Sequence, residues 1–274
     1  MQSVLMTAAE LQAQLASTAP PRVLDCRARL EDAAAGQTLW ASGHVPGSLH
    51  MDMDRDLSAP PGEGGRHPLP SPEAFTATLR RFGIEPGQRV VVYDDRGGQL
   101  AAARAWWMLA CWAGHPDVQV LDGGLPAWRE AGGELGVETG SEVAASDWQP
   151  RYDDEAWVAA DELLAGGGQL VDARGEARFR GDEEPIDPVA GHIPGAICRP
   201  SSANLTEEGG FKPADQLARE LPGGASVTAY CGSGVSACHD ILAYAVAGMP
   251  LPRLYVGSWS EWVRDPSRPV ATGA

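Results

Sequence analysis

The run Val23-Leu24-Asp25-Cys26-Arg27 returns as Leu170-Val171-Asp172-Ala173-Arg174, its Asp 147 residues further on. Outward from it, the turn Gly43-His44-Val45-Pro46-Gly47 returns as Gly191-His192-Ile193-Pro194-Gly195, its His displaced by 148. VVVYD at 90–94 matches VTAYC at 227–231, and GGLPAW at 123–128 matches GSWSEW at 257–262. Four matches in one order, with slowly drifting offsets, indicate a duplicated domain, and the period is far too long for a solenoid. Within each half, short β-branched runs alternate with helical patterns. Strands are expected over 22–27, 89–95 and 118–122, and again over 169–174, 226–230 and 253–256. Helices are expected over 73–82, 100–112 and 126–131, and near 160–165, 215–220 and 235–247. This alternation predicts an α/β fold of two tandem domains, each a parallel sheet with helices on both faces. In such sheets ligands bind at the C-terminal ends of strands.

The stretch Gly133–Asp154 is polar, aperiodic and broken by Gly and Pro, so it reads as a linker. The expected layout is a first domain over 1–135, a linker over 136–154 and a second domain over 155–274. A second breaker-rich segment, Leu57–Pro72, reads as a surface loop that shapes a cleft.

The chain has 274 residues and a net charge of −16, which opposes a nucleic-acid partner. An anionic substrate requires a local cluster of Arg and backbone amides. Five cysteines without a C-x-x-C pair support neither a disulfide framework nor a zinc ribbon. The six histidines lack ligand spacing, so no metal and no cofactor are expected. No apolar run approaches the ~18 residues of a membrane span, and the first residues lack the basic start of a signal peptide. A cytoplasmic protein without a membrane partner is expected.

The chemistry is expected at Tyr230-Cys231-Gly232-Ser233-Gly234-Val235-Ser236-Ala237. A buried strand ends, and a loop of small residues runs straight into an apolar helix. Gly232 and Gly234 permit tight curvature. The amides of Gly232, Gly234, Val235 and Ser236 can then converge on one point at the helix N-terminus. That surrounding favours the thiolate of Cys231 and can hold an anion bonded to it. The first half carries Asp94 where the second carries Cys231, so it is expected to be non-catalytic. Cys26, Cys111 and Cys238 read as small core residues, and nothing marks Cys198 as activated.

These residues resemble the two-domain rhodanese family, the 3-mercaptopyruvate/thiosulfate sulfurtransferases. The resemblance rests on GHVPG with Asp52 and Asp54, HPLPSPEAF, the Cys231 loop, GSWSEW and PVATG, and it covers nearly the whole chain. It implies a sulfurtransferase whose second domain carries the catalytic Cys. The loop CGSGVSA is similar to the mercaptopyruvate type, whereas thiosulfate-type enzymes place basic residues after the Cys. The implied donor is 3-mercaptopyruvate, with thiosulfate as the alternative small anionic donor. The implied acceptor is a thiol or cyanide, including a thioredoxin-like protein. By the same resemblance Ser233 lies beside the reacting sulfur, His44 assists proton transfer with it, and Arg178 binds the donor's anion. Arg174 and Arg27 recur at strand ends and read as structural ion pairs. The chain departs from the family at Glu183–Pro188, where mercaptopyruvate enzymes often carry another substrate Arg.

Two other classes compete. A Cys-based phosphatase needs an Arg six residues after its Cys, and position 237 is Ala. A persulfide carrier or binding module would share the loop but turn over no small donor.

Overall fold

The structure is a computed structural model, and it describes residues 3–29, 31–138, 143–166, 168–224 and 226–274. It contains two compact units, each with one five-stranded parallel sheet. In the first unit the strands are β1 (Leu5–Met6), β2 (Arg22–Asp25), β3 (Leu49–His50), β4 (Val90–Tyr93) and β5 (Val118–Leu121). Their order is β1-β5-β4-β2-β3. In the second unit β6 (Trp157–Val158), β7 (Gln169–Asp172), β8 (Ile197–Cys198), β9 (Val227–Tyr230) and β10 (Arg253–Tyr255) take the order β6-β10-β9-β7-β8. The α/β fold with tandem, helix-flanked sheets is therefore as the repeat predicts. The four outermost strands were not anticipated. Each is two residues long, too short to display a period of two.

Helices cover Pro72–Arg81, Ala101–Trp106, Gly124–Glu130, Ala160–Leu164, Ala214–Glu220 and Ala237–Val246, close to the expected places. Ser71 caps the first of these by accepting from the Ala74 amide, with Pro72 opening the helix. The helix expected over 100–112 changes character midway, and Trp107–Trp112 forms π-type turns. Four further helices were not foreseen: Ala8–Leu15, Ala35–Ser42, Glu176–Arg180 and Ser258–Trp262. The first had a legible signal. Thr7 and Glu10 form a capping box in which each side chain bonds the other's backbone amide.

The units are not continuous in sequence. Ala59–Leu69, from the first repeat, belongs to the second unit, and Thr206–Phe211 belongs to the first. The compact units thus depart from continuous boundaries at 135 and 155. The Leu57–Pro72 loop reaches the surface at Pro60, Pro61 and Glu63 and is tied by its own bonds: Ala59 donates to Pro68 O (2.9 Å), and Gly62 and Gly65 exchange amide bonds. Of the expected linker, residues 143–153 pack with the first unit. Residues 139–142 lie outside the described residues.

The repeated motifs have a common physical cause. Arg27 forks onto Asp25 and also donates to Gly43 O (2.8 Å). Arg174 does the same with Asp172 and Gly191 O (2.6 Å). Tyr93 Oη accepts from the Val45 amide, and Tyr230 Oη from the Ile193 amide, both at 3.1 Å. Each Asp–Arg pair is almost fully desolvated, and the fork together with the bond to a backbone carbonyl offsets that cost. The pairs fix the G-H-x-P-G turn against the sheet. Around them, Tyr230, Tyr255, Trp259 and Trp262 pack with Val158 and Ile193 in the second core. Burial of each such side chain stabilises the fold by about 1.5–3 kcal/mol.

Candidate active site

Strand β9 lies in the middle of the second sheet and is buried at every residue. It ends at Tyr230; Cys231, 1% exposed, follows it, and the loop 232–236 leads into the helix Ala237–Val246. The loop's carbonyls are fastened from the other side. Cys231 O accepts from the Trp259 amide (3.0 Å) and Gly232 O from the Ser260 amide (2.9 Å). The Cys231 amide donates to Ser258 Oγ (3.1 Å), which in turn donates to Tyr255 O (2.9 Å). Ser258 adopts φ 51°, the left-handed region, and is the one non-glycine residue to do so among the described residues. Its hydroxyl explains why that strain is retained. Gly234, at φ 76°, supplies the loop's own left-handed turn. Val235 is buried at the loop's end and Ser236 directly precedes the helix.

Ser233 Oγ lies 2.8 Å from Nδ1 of His67. The resemblance assigned this partnership to His44, and the structure gives Ser233 a different histidine. His44, in the first unit, is fully enclosed. Its Nδ1 bonds Trp40 O (2.8 Å), and its ring stacks on Trp40 at 4.4 Å. His192 occupies the equivalent turn with the same two contacts, Nδ1 to Phe179 O (2.8 Å) and a stack at 3.7 Å. One arrangement in both repeats is what a structural histidine of the G-H-x-P-G turn requires.

Arg178 stands beside the loop as expected, but with company. Its Nε and Nη2 fork onto Glu184 at 3.1 and 2.6 Å, and Nη2 also reaches Asp187 at 3.2 Å. Arg66 pairs with the other oxygen of Asp187. A Cβ added at Gly232 would meet Arg66 Nη2 at 2.8 Å and Arg178 Nη1 at 3.6 Å. Two guanidinium groups therefore face the residue next to the nucleophile. Sequence reasoning missed both Arg66 and His67. They are neighbours in the breaker-rich loop, and the Gly65 backbone sits so close to Ser260 that a side chain there would clash.

The first repeat shows what the same loop does with an anion in place. Asp94 follows β4 as Cys231 follows β9. Its Oδ1 accepts from the amides of Arg96 and Gly98 (both 2.8 Å), and Oδ2 from those of Leu100 and Ala102 (3.3 and 3.4 Å). The carboxylate fills the cradle that its own loop makes.

The remaining cysteines lie in apolar or acidic surroundings. Burial pushes the Cys111 thiol up to about 12. Burial, with Asp172 and Glu176 nearby, pushes Cys198 up to about 11. Cys26 is fully buried, and desolvation followed by Asp25 and Asp94 raises its thiol well above the ordinary range. Cys238 is buried one turn into the helix after the nucleophile loop. Such thiols are inert. Among the described residues no His, Cys, Asp and Glu cluster could hold a metal ion.

Comparison with known proteins agrees with this geometry. The rhodanese-like domain matches residues 7–131 and 157–265. The chain is 48% identical over 283 residues to the "probable 3-mercaptopyruvate sulfurtransferase" of Pseudomonas aeruginosa, covering 98% of both chains. It is 35% identical over 259 residues to the thiosulfate sulfurtransferase of Gallus gallus, covering 90% of this chain and 84% of that one. The solved structure of the 3-mercaptopyruvate sulfurtransferase from Leishmania major matches with a TM-score of 0.85 at 28% identity, over 96% of this chain and 76% of that one. With the domain matched twice, and a relative 48% identical over nearly its whole length, this chain belongs to the rhodanese family.

Proposed function

We propose that this protein is a sulfurtransferase that moves a sulfur atom from 3-mercaptopyruvate to a thiol or cyanide through a persulfide on Cys231. The observation that carries the reading is the grouping of Cys231, the Ser233–His67 pair and Arg178 around one loop. The thiolate of Cys231 attacks the donor sulfur. The S–S bond forms as the donor's C–S bond breaks, and its electron pair passes to carbon as the enolate of pyruvate. The thiol proton originally on the donor is needed at that carbon. Ser233 Oγ and His67 Nδ1, in hydrogen-bond contact, provide two adjoining groups that can receive and return it. Arg178 holds the donor carboxylate, and the amides of Gly232, Gly234, Val235 and Ser236 support the charged sulfur. The acceptor thiolate or cyanide then takes the outer sulfur and Cys231 leaves as thiolate.

The acceptor reading extends to a thioredoxin-like protein, whose exposed thiolate supplies the same chemistry. All five cysteines are free, which suits a reducing compartment such as the cytoplasm. Among the described residues no helix is long and apolar enough to cross a membrane. The test is steady-state turnover of 3-mercaptopyruvate and thiosulfate with cyanide as common acceptor. Higher kcat/KM for 3-mercaptopyruvate supports the reading, and a preference for thiosulfate replaces it.

A further inference from the structure

We propose that Arg66 is a second donor-binding cation of this site and shares the donor's carboxylate with Arg178. This inference rests on the sulfurtransferase reading and names the residues that set its donor class.

Both guanidiniums converge on the place that a Cβ on Gly232, the residue after Cys231, would occupy. Each is held from behind by a carboxylate. Asp187 bridges the two, with one oxygen on Arg66 and the other on Arg178, while Glu184 takes the fork of Arg178. Asp187 and Glu184 are each 4% exposed, whereas Arg66 and Arg178 retain 28% and 17%. The carboxylates are thus covered, while both arginine side chains keep some exposure. Arg66 uses Nη1 on Asp187 and points Nη2 at Gly232. Arg178 uses Nε and Nη2 on the carboxylates, and Nη1 takes no part in those bonds. Two N–H groups from different arginines therefore bracket one place, a spacing suited to the two oxygens of a single carboxylate. The main chain fixes the Arg66 end of this bracket, since its amide donates to Ser260 Oγ at 3.1 Å.

The charge balance states which donor fits. Three arginines, Arg66, Arg178 and Arg174, face three acids, Asp187, Glu184 and Asp172, so the guanidiniums carry little net charge beyond what the carboxylates cancel. A monoanionic α-keto acid is accommodated by hydrogen bonds to the arginine tips. A dianion such as thiosulfate brings a second charge that the buried acids oppose. Asp187 is a positioning residue in this scheme: it holds both guanidiniums in place and discounts their charge. A side chain at Gly232 would displace the Arg66 tip from the loop.

The experiment compares wild type with Arg66→Ala, Arg66→Lys, Asp187→Asn and the double variant Arg66→Ala/Asp187→Asn. Both donors are used, with cyanide as acceptor. Arg66→Ala should raise KM for 3-mercaptopyruvate about 10-fold, with a smaller change in kcat. Arg66→Lys should recover part of that loss, because it restores the charge without the fork. Asp187→Asn should raise the ratio of thiosulfate to 3-mercaptopyruvate kcat/KM. The double variant should keep the high KM. An unchanged KM in Arg66→Ala overturns the proposal, as does restoration of KM in the double variant, which would make Arg66 only the counter-ion of Asp187. Persulfide-loaded protein, read by intact mass, should discharge to cyanide at the wild-type rate in every variant; slowed discharge in Arg66→Ala likewise overturns a donor-binding role. Absence of donor turnover in wild type would instead overturn the sulfurtransferase reading itself.

Discussion

His67 and Ser233 meet at 2.8 Å although 166 residues separate them in the chain. The pair places an imidazole behind the hydroxyl beside the nucleophile. Loss of pyruvate needs a proton delivered to carbon, whereas sulfite can leave thiosulfate without one. His67→Ala and Ser233→Ala should therefore lower kcat for 3-mercaptopyruvate by about 10²-fold, the low end for general acid–base assistance. Turnover of thiosulfate should fall much less. Parallel steady-state assays check this, and equal losses for both donors would point to a disturbed loop instead.

His44→Ala should act on stability. The ring lies fully buried against Trp40, and its removal leaves a cavity in the turn. A loss of about 2–4 kcal/mol by urea titration is expected, as for other large-to-small core changes. Turnover per folded molecule at a permissive temperature should stay within a few-fold of wild type. A kcat loss matching that of His67→Ala would return the proton-transfer role to His44.

Cys231→Ser should abolish both the sulfur adduct in intact-mass spectra after donor treatment and all turnover. The other four thiols are buried or lie in acidic surroundings, so none substitutes. A persistent cyanide-labile adduct in this variant would refute the assignment.

Arg178→Ala should raise KM for 3-mercaptopyruvate at least ~10-fold, by removal of a charge-assisted contact. The structure adds a cost that the sequence did not suggest. Glu184 is 4% exposed, loses the Arg178 fork and keeps only Arg174 Nη1 at 3.3 Å, so melting temperature should fall as well. Arg178→Ala/Glu184→Gln should regain most of the stability and none of the KM.

Asp240 gives the fold a pH dependence. Its carboxyl is fully buried, and burial pushes it up to about 8, against the opposing pull of Asn204 and Arg199. The folded state holds this proton more tightly than the unfolded chain, where an Asp titrates near 4. Its contribution to stability is therefore full below about pH 4 and is lost as pH rises through 8. The slope approaches at most about 1.4 kcal/mol per pH unit inside that window. Denaturation of Asp240→Asn across pH 5 to 8 should show a flatter profile than wild type, and an unchanged profile would exclude this group as the cause.

Much of the fold was legible because its signals are local. The duplicated Asp–Arg and G-H-x-P-G motifs recur since each repeat must build the same buried ion pair and turn. Cys231 was legible because a strand end, a glycine loop and a helix start lie next to each other in the chain. Arg66 and His67 were not, because their role depends on long-range placement. The Gly- and Pro-rich segment around them shows no period, and no local pattern reveals that it belongs to the second unit. A clue was available in its length, more than a connection from strand to helix requires, with a charged residue and a histidine side by side. His44 misled for the opposite reason. Its motif is conspicuous, and the repetition of that motif in His192 was the better guide.

The Asp94 cradle gives the two repeats different thermodynamic standing. In the first, the occupant is tethered to the chain and cannot leave, so that loop is always saturated. In the second, under the proposed persulfide route, the comparable place takes a sulfur species that arrives and departs with every cycle. By mass-action linkage, whatever free energy the loop gains from the persulfide is added to the stability of the second unit while it is loaded. Each cycle of that route is thus also a cycle of local tightening and loosening, confined to the repeat without a built-in carboxylate.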